Sequence, residues 1–245
     1  MKIALGILCF GDEIYFKGTV NKINKILNKG YNCYILTDSP DFFYKRYTPT
    51  YLHVIPYHRK NKSYHDKMIL SVHMLKQNDI CVLIDADTDI INDKFLDDIR
   101  NYNFKDGITY IETLKNHNSN KQYVSELNLD TIEWKEYKNY IEFLYPDYNN
   151  LELMWEYFLV INKINFNYDK FFKIYEKLQL CKEYCELKLN KDVIGAGEGI
   201  SIQISSILSE TPIQRDSDLY EILKDKIKGI SLRYTPKNQL PDWTK

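Results

Sequence analysis

Asp85, Asp87 and Asp89 stand at alternate positions in the segment Asp85-Ala86-Asp87-Thr88-Asp89, directly after the apolar run Ile80–Ile84. Carboxylates two residues apart at the end of a buried strand can hold a hard divalent cation, and that cation can bridge a diphosphate. A solvated acidic loop has the same spelling. It gives no reason, though, for the acids to follow a strand reading Cys81-Val82-Leu83-Ile84. A calcium loop of the EF-hand type starting at Asp85 needs Gly at its sixth place and Glu at its twelfth. Ile90 and Leu96 stand there, so that chemistry is excluded.

The elements that must carry this turn can be read from hydrophobic spacing. Ile3–Phe10 is a continuous apolar run of strand length, as expected for a strand buried on both faces of a parallel sheet. Phe16, Val20, Ile23 and Leu27 mark the apolar stripe of a helix, with Gly30 placed to end it. Asn32–Leu36 reads as a second strand closing at the turn cluster Thr37-Asp38-Ser39-Pro40, and Tyr51–Ile55 as a third. Ser63 and Asp66 form a capping-box pair opening a helix with Met68, Ile69, Val72 and Leu75 on one face. Strand Ile80–Ile84 completes a β-α-β-(β)-α-β order, in which ligands gather at the carboxyl ends of the strands.

The second half is less regular. From about Thr113 to Asn150 the chain is polar and rich in Asn, Lys and Tyr, with only short periodic pieces. Glu156–Asn162 reads as a strand and Tyr168–Leu189 as a long helix with Phe171, Tyr175 and Leu178 facing inward. Gly195-Ala196-Gly197-Glu198-Gly199 is a turn opening a further helix striped by Ile200, Ile204 and Ile207. With no repeat and no linker, the expectation is one α/β domain over 1–245, its sheet mixed but mostly parallel and flanked by helices. Residues 1–112 form its first half and 113–245 its second.

Composition narrows the function classes. The 245 residues are 44% hydrophobic and 27% charged, which rules out a disordered or collagen-like chain. Lys plus Arg number 33 against 34 for Asp plus Glu, so the cationic excess of a dedicated nucleic-acid binder is missing. No apolar run approaches the ~20 residues of a membrane-spanning helix. Ile3–Phe10 lacks a small-x-small cleavage site and is read as a strand, not a signal peptide. Cys9, Cys33 and Cys81 lie in apolar runs, as free thiols do in a reducing compartment, so a cytoplasmic protein is expected. Cys181 and Cys185 share a helix face with no accompanying His or Cys cluster and are read as core. The Lys-, Asn- and Ile-rich composition points to an AT-rich genome, bacterial or viral.

The run Cys81–Asp98 (CVLIDADTDIINDKFLDD) resembles the D-x-D segment of GT-A-fold (Rossmann-like) glycosyltransferases, above all the retaining families 8 and 6. Phe10-Gly11-Asp12-Glu13-Ile14-Tyr15 is similar to the family-6 stretch in which a Phe and a Tyr five residues later flank the nucleotide base. Thr37 and Asp38 fall where such enzymes end their second strand near the ribose. Lys67, in His65-Asp66-Lys67-Met68, falls where they often carry a basic residue before D-x-D. Glu156–Asn162 resembles the later strand near the acceptor. The resemblance covers residues 1–100 well and 150–210 loosely. The metal-binding His that family 8 carries near its C-terminus is missing, since all five histidines lie in the first half. Asp216 or water would take its place. The family-6 His-Asp-Glu signature is missing too, and Glu198 occupies a comparable place in the order.

What the resemblance implies is a hexosyltransferase using a UDP-sugar donor and a saccharide or glycoconjugate acceptor, with Mn²⁺ or Mg²⁺ at Asp85 and Asp87. Phe10, Gly11, Tyr15, Thr37, Asp38, Lys67, Asp85, Ala86 and Asp87 would bind the nucleotide sugar, and Trp155 and Glu156 the acceptor. Glu198 and Lys67 are the candidate catalytic groups. Each has a plainer reading. Glu198 would complement a helix dipole, Lys67 would be a solvated helix residue, and Trp155 would be core.

Two alternatives remain. A haloacid-dehalogenase-type phosphatase also sets two aspartates after a strand, in a pattern resembling D-x-D-x-[TV]. Here Thr88 comes one step early, and the motif follows a later strand than the first. The basic run His58-Arg59-Lys60-Asn61-Lys62 with Lys67 fits a modified DNA base as acceptor. The aromatic-rich stretch Tyr137–Trp155, with Tyr140, Phe143, Tyr145 and Tyr148, better suits stacking on a sugar ring.

Overall fold

The computed structural model describes residues 1–48, 50–58, 66–111, 123–126, 135–152, 154, 158–189 and 197–229. Along the first half run β1 (Ile3–Cys9), α1 (Glu13–Asn28), β2 (Asn32–Thr37), α2 (Pro40–Tyr44), β3 (Leu52–Pro56), α3 (Asp66–Leu75) and β4 (Ile80–Ile84). The chain continues through β5 (Thr88–Ile90), α4 (Lys94–Asn101), β6 (Gly107–Tyr110), α5 (Lys135–Leu144) and β7 (Phe158–Asn162). It then forms α6 (Tyr168–Leu189), α7 (Gly197–Ser209), β8 (Ile213–Arg215), α8 (Ser217–Leu223) and β9 (Ile227–Gly229).

Seven strands join in the order β3-β2-β1-β4-β7-β6-β8. β1, β2, β3 and β4 are mutually parallel, as are β6 and β8, and β7 runs antiparallel to β4 and β6. This is the expected α/β fold with a mixed, mostly parallel sheet flanked by helices. Strands from both halves of the chain share the one sheet. β5 and β9 pair apart from it as a short antiparallel ribbon.

Side-chain alternation sorts the core into two layers. Leu5, Ile7 and Cys9 of β1 face one side with Val82 and Ile84, and α1, α4 and α8 cover them through Ile23, Ile26, Phe95, Ile99, Leu219 and Leu223. Ala4, Leu36, Cys81, Leu83 and Leu159 face the other, under Met68, Leu70 and Met74 of α3 and Phe171 and Tyr175 of α6. Because helices cover both faces, all five residues of β4 are buried and the strand reads as an unbroken apolar run. A third cluster places Tyr137 and Ile141 of α5 against Leu178 of α6 and Ile200 and Ile204 of α7. The polar stretch before Asn150 thus contains a helix that its periodicity did not announce. Ile207, expected on the α7 stripe, is exposed.

The turn cluster Thr37–Pro40 also proves richer than a turn, since Pro40 takes the first helical position of the five-residue α2. The capping residue Ser63 lies outside the described residues.

Gly107, at the start of β6, has φ +75°, and a Cβ there would meet the Pro212 carbonyl oxygen at 2.1 Å. That close approach lets β8 pair with β6. Gly107→Ala should therefore destabilise the fold by at least about 2 kcal/mol in urea titration, since neither the backbone angle nor the clash can relax cheaply.

Candidate functional site

The chain first lays strands outward from β1 to β2 and β3, then returns to place β4 on the other side of β1. Between β1 and β4 the connections diverge, which opens a crevice at the carboxyl ends of those strands. Asp85, Ala86 and Asp87 occupy that end of β4, in a turn closed by the Thr88 N–H donating to the Asp85 carbonyl at 3.1 Å. The acidic triplet therefore stands at the reversal point of the sheet.

Lys67 reaches it from the first turn of α3, its Nζ 2.8 Å from Asp85 Oδ1. Only 6% of the Lys67 side chain is exposed, against 27% for Asp85, so the solvated-helix reading of Lys67 is wrong. Asp87 is half-buried, and its carboxyl is pushed up to about 6, first by burial and then by the neighbouring charge of Asp85. Lys22 and Lys67 pull in the opposite direction without cancelling the effect.

Lys22, on α1, was not expected here. It is buried, and its Nζ donates to the Ala86 carbonyl at 2.6 Å and the Thr88 carbonyl at 2.8 Å. Burial brings its ammonium down to about 8, opposed first by the charge of Asp87 and then by those of Asp89 and Asp85. One turn further along α1, Lys25 Nζ donates to the Ile90 carbonyl at 2.5 Å. The buried face of α1 is Phe16, Gly18, Thr19, Lys22, Ile23 and Ile26, rotated from the stripe Phe16, Val20, Ile23, Leu27, so apolar spacing alone does not mark Lys22.

The other expected donor residues gather at the same edge. Phe10 follows β1 and meets Tyr57, just after β3, edge-on with centroids 6.2 Å apart. No motif in the sequence marks Tyr57 for this place. Gly11 has φ +83° and open space around it, so it turns the chain out of β1 into α1. Tyr15 packs partly against the core in the first turn of α1. Asp38 is exposed. Thr37 is fully buried, its hydroxyl accepting from the Ser39 N–H at 3.1 Å and its carbonyl from the Tyr57 N–H at 2.8 Å. It shapes this wall from behind.

In the second half, β7 runs antiparallel and pairs Phe158 with Ile84, so it begins beside the acidic turn. Trp155 and Glu156 lie outside the described residues. Glu198 sits in the first turn of α7, and its side chain lies outside them too. Asp216 does not supply a third metal ligand beside Asp85 and Asp87. Its Oδ1 caps α8, accepting from the Asp218 and Leu219 N–H groups at 3.1 and 3.0 Å. It also follows β8, three strands from β4 and so ~14 Å away. Among the described residues no group of three His, Cys, Asp or Glu side chains could hold a metal. Two carboxylates at one turn still fit a hard cation such as Mn²⁺ or Mg²⁺, which takes one or two protein carboxylates and completes its shell with phosphate oxygens and water. No helix among the described residues is long and apolar enough to cross a membrane.

No family model matches the chain, and no curated protein matches it by sequence. Many solved structures are similar to it in shape, and two of them illustrate the likeness. One is 4-diphosphocytidyl-2C-methyl-D-erythritol synthase from Anaerococcus prevotii DSM 20548, with 10% identity and a TM-score of 0.42 over 88% of this chain and 86% of that one. The other is the glycosyltransferase GlyE of Streptococcus pneumoniae TIGR4, with 12% identity and a TM-score of 0.45 over 90% of this chain and 46% of that one. At such scores neither likeness assigns an activity here.

Proposed function

We propose that this chain is a metal-assisted glycosyltransferase that moves a sugar from a UDP-sugar to a saccharide acceptor. The observation that carries the reading is the placement of Asp85-Ala86-Asp87 at the β1/β4 reversal, within one rim of aromatic and polar residues that end β1, β2 and β3. That rim has the chemistry a nucleoside diphosphate needs. Phe10, with Tyr57 at its edge and Tyr15 nearby, offers an aromatic face for the base. Asp38 offers an exposed carboxylate to ribose hydroxyls.

Asp87 and Asp85 are the residues that would hold Mn²⁺ or Mg²⁺. When bound, such an ion neutralises charge developing on the departing diphosphate. Lys67, held at Asp85, adds a second positive charge on the same side of the crevice. Trp155 and Glu156 are assigned to the acceptor on the resemblance of the run Glu156–Asn162 to the later strand near the acceptor. Glu198 is assigned to the reacting sugar on its glycine-flanked place at the start of α7. Retention of the anomeric configuration rests on the resemblance of the Cys81–Asp98 run alone.

Calorimetric titration tests the donor site. UDP should bind more tightly with Mn²⁺ than without it, and Asp87→Ala should remove that difference while the protein stays folded. Equal affinity of the unaltered protein in both conditions would overturn the metal role.

Phosphatase chemistry gives a different result. A transferase of this kind should leave p-nitrophenyl phosphate untouched and slowly hydrolyse its nucleotide sugar. Turnover of the monoester that vanishes in Asp85→Asn would mean that Asp85 is a nucleophile, and the transferase reading would fall.

Holding Asp87 ionised costs the fold stability, which is expected of a residue kept for function. Its folded value of about 6 lies above the ordinary 3.8, so the folded state binds the extra proton between those values. Above about 6 the cost is present in full, and below 3.8 both states are protonated and it disappears. Metal-free Asp87→Asn should thus raise Tm at pH 7, by about 2–4 °C for each kcal/mol relieved, and the gain should vanish near pH 3.5. An equal gain at both pH values would contradict the assigned cost.

A further inference from the structure

Lys22 is almost the most costly residue type to bury, and it is buried beneath the turn whose carboxylates define the site. Its helix, α1, joins β1 to β2 and packs on the central sheet through Phe16, Ile23 and Ile26. The lysine thus comes from a rigid element. Lys22 donates to two backbone carbonyls of the turn, Ala86 and Thr88, and Lys25 donates to the Ile90 carbonyl. Thr88 and Ile90 alternate along β5, so their carbonyls share an edge, and Ala86 presents its carbonyl from the turn just before that strand. On its strand-pairing side β5 is held by β9, with Thr88 opposite Gly229 and Ile90 opposite Ile227. The two ammonium groups serve the carbonyls as another strand would.

We infer that Lys22, with Lys25 in support, is a positioning residue that preforms the Asp85–Asp87 turn for its cation and diphosphate. The inference rests on the metal-assisted reading of the site, but the turn it describes exists without ligand. Two effects of the lysine on cation binding have opposite signs, which makes the role testable. A positive charge beside the site opposes a metal ion, so deleting the charge alone would tighten binding. Loss of the carbonyl tethers lets the turn drift, which loosens it. The charged groups facing Lys22 are Asp85, Asp87 and Asp89, with the Cys9 thiol on β1. None of them binds the three carbonyls in its place.

The test uses Lys22→Met and Lys25→Met in the full chain, with two readouts. Without ligand, amide hydrogen exchange should quicken across residues 85–90 and stay unchanged in β1 and β2. With UDP present, Mn²⁺ affinity should fall about 10- to 100-fold for Lys22→Met and by less for Lys25→Met, the usual scale for residues that orient metal ligands. Unchanged exchange at 85–90, or Mn²⁺–UDP binding as tight as or tighter than in the unaltered protein, overturns the inference. If Lys22→Met does not fold, the same two readouts on Lys25→Met decide. If the unaltered protein binds no Mn²⁺–UDP at all, the functional reading fails on its own, and the exchange result still decides the role of Lys22.

Discussion

The site depends on a reversal in the order in which strands join the sheet. β1 has β2 on one side and β4 on the other, and the connections leaving them go opposite ways over the sheet. Four strand ends, those of β1, β2, β3 and β4, therefore open at one edge without a helix crossing between β1 and β4. Whatever stands at those ends faces a common crevice. On this chain the residues there are Phe10, Asp38, Tyr57 and the acidic turn at Asp85–Asp87. The antiparallel course of β7 adds a fifth connection to the same edge, because Phe158 begins opposite Ile84. Both halves of the chain thus reach one place, although their sequences differ in regularity.

Electrostatics works against the fold at this edge. Asp87 is kept in a half-buried position where its carboxyl resists ionisation, and Lys22 is kept where its amine resists protonation. Neither would be chosen for packing, since apolar residues of similar size would avoid both desolvation penalties. Their joint presence makes sense as a prepaid arrangement. The lysines hold the backbone of the turn and Lys67 holds one carboxylate, which leaves Asp87 the less compensated acid. The β5–β9 ribbon then closes the far side of the turn, tying residues 88–90 to 227–229.

Much of this was legible before the structure. β4 announced itself as five apolar residues, α6 spans the residues its stripe predicted, and the acidic turn falls where its strand context placed it. Short elements were not legible. β6, β8 and β9 have three or four residues each, too few for a period to emerge, and their identity comes from the neighbours they pair with. Lys22 escaped for another reason. The stripe Phe16, Val20, Ile23, Leu27 is rotated from the face that is buried, which includes Thr19, Lys22 and Ile26. A lysine on a helix is read as solvated by default, and only the contact with residues 86 and 88 reverses that. Lys67 shows the same limit, because its ion pair joins a helix to a loop 18 positions later. Asp216 erred in the other direction. Its sequence position left it open as a ligand, and its capping of α8 removes it.

Crystals soaked with UDP and Mn²⁺ test the central claim most directly, through the anomalous scattering of manganese. The account predicts a manganese peak at the Asp85–Asp87 turn that ends β4, beside a UDP whose base lies against Phe10. A manganese peak at any other cluster, or UDP bound away from the β1/β4 edge, would contradict it.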